Sequence, residues 1–116
     1  MFDDVASTSV RAALAGLAMR QRVSANNIAN IETPGFTAQQ VDFEGALRSA
    51  VADGSTENGI RPTVSRSPLA ARQDGNNVNL DEETLRSTDT GLRYQLMLRA
   101  MDDRFGLIST ALKGGR

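Results

Sequence analysis

Apolar residues in the first third of the chain recur at the spacing of a helix. Counted from Val10, they alternate at intervals of four and three residues when Gln21 and Ser24 are taken as polar members of the same row. The alanines around this row favour helix. The sequence therefore predicts a helix from about Ser7 to Ile31, whose apolar row consists of Val10, Leu14, Leu17, Ile28 and Ile31.

The last third of the chain carries a second helical pattern. Asn79 can cap the start of a helix, with Glu82 three residues on as the second member of a capping box. The acidic residues that follow Leu80 suit the positive end of the helix dipole. An apolar row then repeats at the a and d spacing of a coiled coil, formed by Tyr94, Leu98, Met101, Phe105, Ile108 and Leu112.

A further row on the same predicted helix contains Leu85, Leu92 and Leu96. It widens the apolar face beyond one seam, so we expect this helix to contact more than one neighbour.

The middle third contains most of the residues that form turns, among them Asp53-Gly54-Ser55 and Asp74-Gly75-Asn76-Asn77. We expect few long elements there. A short helix over Phe43 to Val51 and a short strand over Ile60 to Val64 are the elements that the pattern favours.

Two terminal helices joined by a turn-rich middle predict a mainly α fold. In it the N- and C-terminal helices pair as an antiparallel coiled-coil hairpin around an irregular middle with short β elements. The predicted divisions are residues 1–33 and 80–116 for one rod-shaped domain and residues 34–79 for the middle segment. The alternative from periodicity alone is a bundle whose rows are ordinary core, because amphipathic helices usually pack inside their own domain.

Composition excludes several kinds of chemistry. The chain has 116 residues and neither Cys nor His, which rules out thiol catalysis, disulfides, Cys/His zinc sites and imidazole acid–base chemistry. A net charge of -1 argues against nucleic acid as a partner. The adjacent acids Asp102 and Asp103 diverge on a helix and do not form a catalytic pair. We therefore expect no catalytic, metal or cofactor-binding residues.

The first residues, Met1 to Asp4, lack the basic start and apolar run of a secretory signal peptide. No stretch of the sequence approaches the ~20 apolar residues that span a bilayer. If the protein leaves the cytoplasm, we expect a route without a cleaved signal.

Asparagines are concentrated at the end of the first predicted helix, although Asn is a poor helix former. Such amides can satisfy the unpaired carbonyls of the last turn or bond to another chain. Pro-Gly at the exit predicts a type II turn with positive φ at Gly35. The alternative is a polar helix end followed by a common turn. The residues concerned are Asn26, Asn27, Asn30, Thr33, Pro34, Gly35 and Phe36.

This segment closely resembles the Asn-Asn-Ile-Ala-Asn…Thr-Pro-Gly-(Phe/Tyr) signature of flagellar axial proteins, which form the rods, hook and junctions. Phe36 stands where Tyr is common. The C-terminal third looks like the FlgB family of rod proteins in Asp74 to Glu83, in Leu92-Arg93-Tyr94-Gln95 and in the ending Ala111 to Arg116.

The resemblance implies a structural subunit of the proximal rod of the bacterial flagellar basal body, not an enzyme. Family members pass through the flagellar type III export channel without a cleaved signal, so the resemblance implies a place in the periplasmic rod of the basal body. The implied partners are other rod proteins, the rod adaptor at the base, the membrane (MS) ring and further copies of the chain. Association would be heterologous, with one surface bound to a different surface of the next subunit.

Two other classes of function compete with this interpretation. A cytoplasmic helical adaptor or export chaperone would use the seam from Tyr94 to Leu112 as a groove for a client helix. It would not need the segment from Asn26 to Phe36, which distinguishes it from a rod protein. An enzyme is the third class, and the sequence offers no phosphate-binding glycine loop for it.

Overall fold

The computed structural model describes residues 5–54 and 61–113, with side chains described within residues 7–54 and 61–103. The fold is mainly helical, as predicted. Its elements in chain order are α1 (Val5–Ala29), β1 (Gln39–Asp42), α2 (Glu44–Asp53), β2 (Thr63–Arg66) and α3 (Leu80–Lys113).

Helices α1 and α3 pack side by side and run antiparallel. Gln21 bonds to Ser87, and Ser24, one turn further along α1, bonds to Glu83, one turn earlier in α3. The pair gives the molecule an elongated shape of 68 × 26 × 14 Å. The predicted pairing of the terminal helices is thus confirmed.

None of the helices in the described part of the chain is long and apolar enough to cross a membrane.

The start of α3 is fixed by its predicted cap. The Asn79 Oδ1 atom accepts the backbone N–H of Glu82 at 3.0 Å, which satisfies a donor that the first helical turn leaves unpaired. The Glu82 carboxylate bonds to Arg86 at 2.6 Å one turn along the helix. The capping side chain therefore sets where α3 begins, and the acidic residue at the third position supports the first turns.

The middle segment forms a two-stranded antiparallel sheet and a short helix. The register pairs Gln39 with Arg66 and Asp42 with Thr63. Strand β2 begins three residues after the predicted start at Ile60, and α2 covers the predicted helix closely. Strand β1 was not predicted, because Gln39-Gln40-Val41-Asp42 carries one apolar residue and shows no alternation that reveals a strand.

The apolar core lies where α1 meets the sheet and α2. Its buried members are Ala13, Leu17, Val41 and Phe43. The Phe43 ring packs directly on the backbone of Gly16, where an added Cβ would lie 2.4 Å from the ring. Gly16 is therefore required for close approach between α1 and the start of α2.

We expect Gly16→Ala to destabilise the fold by about 1–3 kcal/mol, because the added methyl group must displace the Phe43 ring from a packed position. Gly45→Ala in α2 is the matched control. Its Cβ would meet nothing within 4 Å, so better helix propensity should stabilise the fold by about 0.5–1 kcal/mol. Urea unfolding measures both. Equal midpoints for the two variants would mean that the ring does not rest on Gly16.

Candidate functional site

The row of α3 that faces α1 is partly polar. It repeats at the coiled-coil spacing of four and three residues and consists of Glu83, Ser87, Thr90, Tyr94, Met97 and Met101. Tyr94 and Met101 belong to the predicted seam. Leu98 lies off this row and is 41% exposed, whereas its neighbour Met97 packs against the core. Because the first three members of this row, Glu83, Ser87 and Thr90, are polar, the spacing of apolar residues alone could not reveal which side of α3 faces α1.

The residues of the predicted row of α1 are buried to different degrees, and two of them, Gln21 and Ser24, bond to α3. Leu17 and Ser24 are buried at its centre. Its other members, Val10, Leu14, Gln21, Ile28 and Ile31, are partly buried. The side chains of Phe105, Ile108 and Leu112 lie outside the described residues. A role for these rows in contacts between subunits stays a prediction.

A buried carboxylate lies at the centre of the contact between the helices. Glu83 is only 2% exposed, and its Oε2 accepts a hydrogen bond from Ser24 at 2.8 Å. Its Oε1 accepts one from Asn27 at 3.0 Å, and Arg86 forms an ion pair with the same oxygen at 3.3 Å. Buried charges are tolerated when they are paired and hydrogen-bonded in this way. Glu83 therefore cross-links α1 and α3 through polar contacts.

Asn27 joins α1 to strand β1. It is fully buried, and its amide donates to the Gln39 carbonyl oxygen at 2.8 Å while its Oδ1 accepts the Gln39 N–H at 3.0 Å. The side chain thus makes the pair of bonds that a neighbouring strand would make. Because Asn27 also donates to Glu83, this one residue connects α1, β1 and α3.

Asn76 closes the C-terminal end of α1 from another part of the chain. It is fully buried, and its Nδ2 donates to the carbonyl oxygens of Asn30, Ile31 and Thr33 at 2.8, 3.2 and 2.8 Å. Arg72 also donates to the Ile31 carbonyl, at 2.6 Å. The helix end is therefore capped by the segment that precedes α3, within the same molecule.

Asn77 also uses its side-chain amide to bond to backbone groups, here to those that flank the two strands. Its Oδ1 accepts the N–H of Ala38 at 2.6 Å, and its Nδ2 donates to the carbonyls of Ser67 and Leu69 at 3.2 and 3.1 Å. We call Asn27, Asn76 and Asn77 the asparagine cluster. Together they fix the end of α1, the two strands and the start of α3 to one another.

The turn that leaves α1 has the predicted form. The N–H of Phe36 bonds to the Thr33 carbonyl at 3.2 Å, and Gly35, the third residue, has φ of 75°. Gly35 also donates to the Asp74 carbonyl at 2.8 Å. An added Cβ on Gly75, itself at φ 84°, would lie 3.2 Å from the Gly35 Cα. Two turns, each with a glycine at positive φ, thus pack against each other.

The remaining residues of the predicted motif lie on the outside of this corner. Asn26 and Pro34 are exposed. The Asn30 amide donates to the Asn26 carbonyl at 2.8 Å, and the Thr33 hydroxyl donates to the Asn30 side chain at 3.1 Å. These local bonds close the outer side of the helix end, across the last turn of α1 and the residues directly after it.

Arg20 joins α1 to the start of α2. Its guanidinium donates to both Glu44 carboxylate oxygens, with Nη1 and Oε2 2.8 Å apart, and to the Val41 carbonyl at 2.9 Å. It also lies 4.9 Å from the centre of the Phe43 ring. The hydrogen bond from Arg20 holds the pKa of the Glu44 carboxyl below its usual value of 4.5, against an opposing effect of desolvation.

This ion pair predicts a small pH dependence. Because the folded pKa of Glu44 is depressed, its contribution to stability is present above about pH 4.5 and is lost as the pH falls through the folded pKa. The Glu44 side chain is 40% exposed, so solvent screening limits the effect to below about 1 kcal/mol. Urea unfolding of the wild type and Glu44→Gln should differ near neutral pH and converge in acid. A difference that stays constant with pH would contradict this account.

The polar groups at this site bond to one another and to the backbone. Among the described residues, no group of three or more His, Cys, Asp or Glu side chains is placed to hold a metal ion. The site is instead a set of buried polar contacts that fixes the directions of the chain segments.

Comparisons with known proteins agree with this structural character. The family model described as "Flagella basal body rod protein" matches residues 10–37, which include most of α1 and the turn after it. The FlgB flagellar basal body rod protein of Bacillus subtilis is 29% identical over 90% of each chain. The FlgB proteins of Salmonella typhimurium and Escherichia coli are 30% identical over 84% of this chain and 86% of their own. This chain therefore belongs to the FlgB family of flagellar basal body rod proteins.

Proposed function

We propose that this structural rod subunit occupies the proximal rod and packs side by side with other axial proteins into the tubular drive shaft. The observation that supports the proposal is the antiparallel packing of α1 against α3, the two helices in the thirds of the chain that carry the family motifs. Residues 1–33 and 80–116 would form the rod domain, with residues 34–79 as the segment that reaches neighbouring subunits.

A drive shaft must transmit torque without bending at each subunit, and the asparagine cluster supports that requirement. A buried polar network specifies one arrangement of the chain because every alternative leaves polar groups without partners. Asn27 and Asn76, both fully buried, bond to backbone groups of Gln39 and of the helix end at Asn30 to Thr33. The middle segment therefore leaves the rod domain in a defined direction.

The specific partners follow from the same proposal. They are other rod proteins, further copies of this chain, the rod adaptor at the base, the membrane (MS) ring, and the export apparatus in transit. Export would proceed without a cleaved signal peptide. The chain would have no catalytic role, no cofactor and no nucleic-acid partner. Association through unlike surfaces suits the proposal, because such contacts extend into helical tubes instead of closing into pairs.

Deletion of the gene for this chain tests the proposal. We expect non-motile cells whose purified basal bodies contain the membrane ring but lack the rod, since a missing structural layer leaves later subunits nowhere to attach. Expression of the intact chain from a plasmid should restore rods and swimming. Complete rods in the deletion strain would overturn the proposal and favour the adaptor or export-chaperone alternative.

A further inference from the structure

Helix α3 presents a second apolar face to solvent. Leu85, Leu92 and Leu96 are 72%, 63% and 61% exposed. At about 100° per residue they share one face, turned about half a revolution from Tyr94, which packs towards α1. We call these three residues the leucine stripe. An aligned set of exposed leucines is typical of an interaction surface, whereas isolated ones are not.

A different surface of the molecule holds an apolar cleft beside the seam between α1 and α3. The cleft has a volume of about 410 Å³, and Leu17, Ala18, Gly91 and Tyr94 form its apolar lining. A Cβ on Gly91 would meet nothing within 4 Å, so this part of the wall is open. Small residues at such a point let a side chain from another helix enter as a knob enters a hole.

Two polar side chains that line the cleft carry buried oxygens without partners in the described structure. Gln21 Oε1 and Thr90 Oγ1 are buried, and neither has a hydrogen-bond partner within the part of the chain that the structure describes. Thr90 is only 1% exposed. Because both oxygens lie beneath the surface, a docking group reaches them only after the Gln21 and Thr90 side chains turn towards it, and the lack of partners favours that change.

Charge makes the stripe and the cleft complementary. Asp89 lies on the stripe's face between Leu85 and Leu92 and forms an ion pair with Arg93, in which both side chains are more than half exposed. Exposed pairs of this kind contribute little and are readily exchanged. Arg22, which is exposed, lines the cleft. An acidic residue within the stripe thus matches a basic residue at the cleft.

We propose that the leucine stripe of one copy docks in the cleft of a second copy, with Leu92 entering beside Ala18 and Gly91 and with Asp89 pairing with Arg22. The hydroxyl of Thr88, exposed on the edge of the stripe, supplies a donor for one of the two buried oxygens once that cleft side chain turns towards it. Because stripe and cleft are separate surfaces, each copy retains one free half of the contact, and copies add in series. This inference deepens the proposed function by naming the surfaces through which copies would meet in the rod.

Disulfide cross-linking of the purified chain tests the contact, since the sequence contains no cysteine. Ala18→Cys in the cleft and Leu92→Cys in the stripe are made in separate copies, one of which carries a mass tag. Oxidation of the mixture should yield the mixed dimer several-fold above a mixture of Leu92→Cys with Ala46→Cys. Ala46 is the matched control, because it is an exposed alanine on α2, away from the cleft.

Charge reversal provides the second arm of the experiment. Arg22→Glu in the cleft copy, or Asp89→Arg in the stripe copy, should reduce the mixed dimer, and the two together should restore it. Circular dichroism of each variant confirms that the helices remain. No enrichment of the mixed dimer over the control would overturn the proposal, as would cross-linking through Leu92→Cys alone, which indicates a closed pair of identical surfaces. Neither result would decide whether the chain is a rod subunit, because the deletion strain tests that role separately.

Discussion

Replacement of Asn27 with alanine is expected to destabilise the subunit by about 2–4 kcal/mol, the largest loss of stability that we expect from truncating one polar side chain. The change leaves the Gln39 N–H and carbonyl without their partner and removes a donor from the buried Glu83 carboxylate. Since these groups belong to α1, β1 and α3, the loss should lower the midpoint of global unfolding. Urea denaturation followed by circular dichroism provides the measurement.

Asn26→Ala is the matched control, because it removes the same amide from the adjacent position. Asn26 is exposed, and its side chain accepts only a long bond of 3.3 Å from Asn30. We expect a change within about 0.5 kcal/mol, as is usual for surface substitutions. If the two alanine variants unfold at the same urea concentration, the asparagine cluster does not hold the fold together.

Replacement of Gly35 with valine is expected to abolish intact rods while the subunit itself still folds. At φ 75° a β-branched side chain is strained, at a local cost of about 1–3 kcal/mol. The strain falls on the turn that directs the chain from α1 to the sheet and that packs against Gly75. A misdirected segment recurs at every copy in a repeating assembly, so a modest local loss should become a failure of assembly. The yield of intact basal bodies from Gly35→Val cells measures it.

Gly54→Val is a closely matched control. Gly54 ends α2 with φ of 70°, and an added Cβ there, as at Gly35, would meet nothing within 4 Å. The intrinsic strain of the two substitutions is therefore similar, and only their places in the fold differ. We expect Gly54→Val cells to retain most of their rods. Equal yields from the two strains would show that the corner after α1 has no special role in assembly.

The elements that could be predicted from the sequence are those whose causes are local. Helix α1 and the Asn79 cap depend on residues a few positions apart, and both appear where expected. The Gly35 turn follows from the conformational limits of Pro and Gly. Motif resemblance then linked the local pattern to a rod family, which neither periodicity nor composition could do.

The features that were missed depend on contacts between distant segments. Asn76 and Asn77 were identified only as turn formers, yet they cap the end of α1 and hold the sheet, some 40 residues away along the chain. Glu83 was assigned to the helix dipole, although it lies buried against Ser24 and Asn27. Polar residues in a seam carry no periodic signal when only apolar residues are counted. One hint of these contacts is present in the sequence: asparagines are concentrated both at Asn26 to Asn30 and at Asn76 to Asn79.

Quantitative mass spectrometry of purified basal bodies, stripped of hook and filament, tests the central claim most directly. A structural subunit of the proximal rod must remain in that preparation, so we predict peptides of this chain in a fixed ratio to the ring protein across independent preparations. Peptides from the first and last thirds of the chain should be equally abundant, because both belong to one polypeptide. Absence of the chain from rods that are otherwise complete would contradict the account.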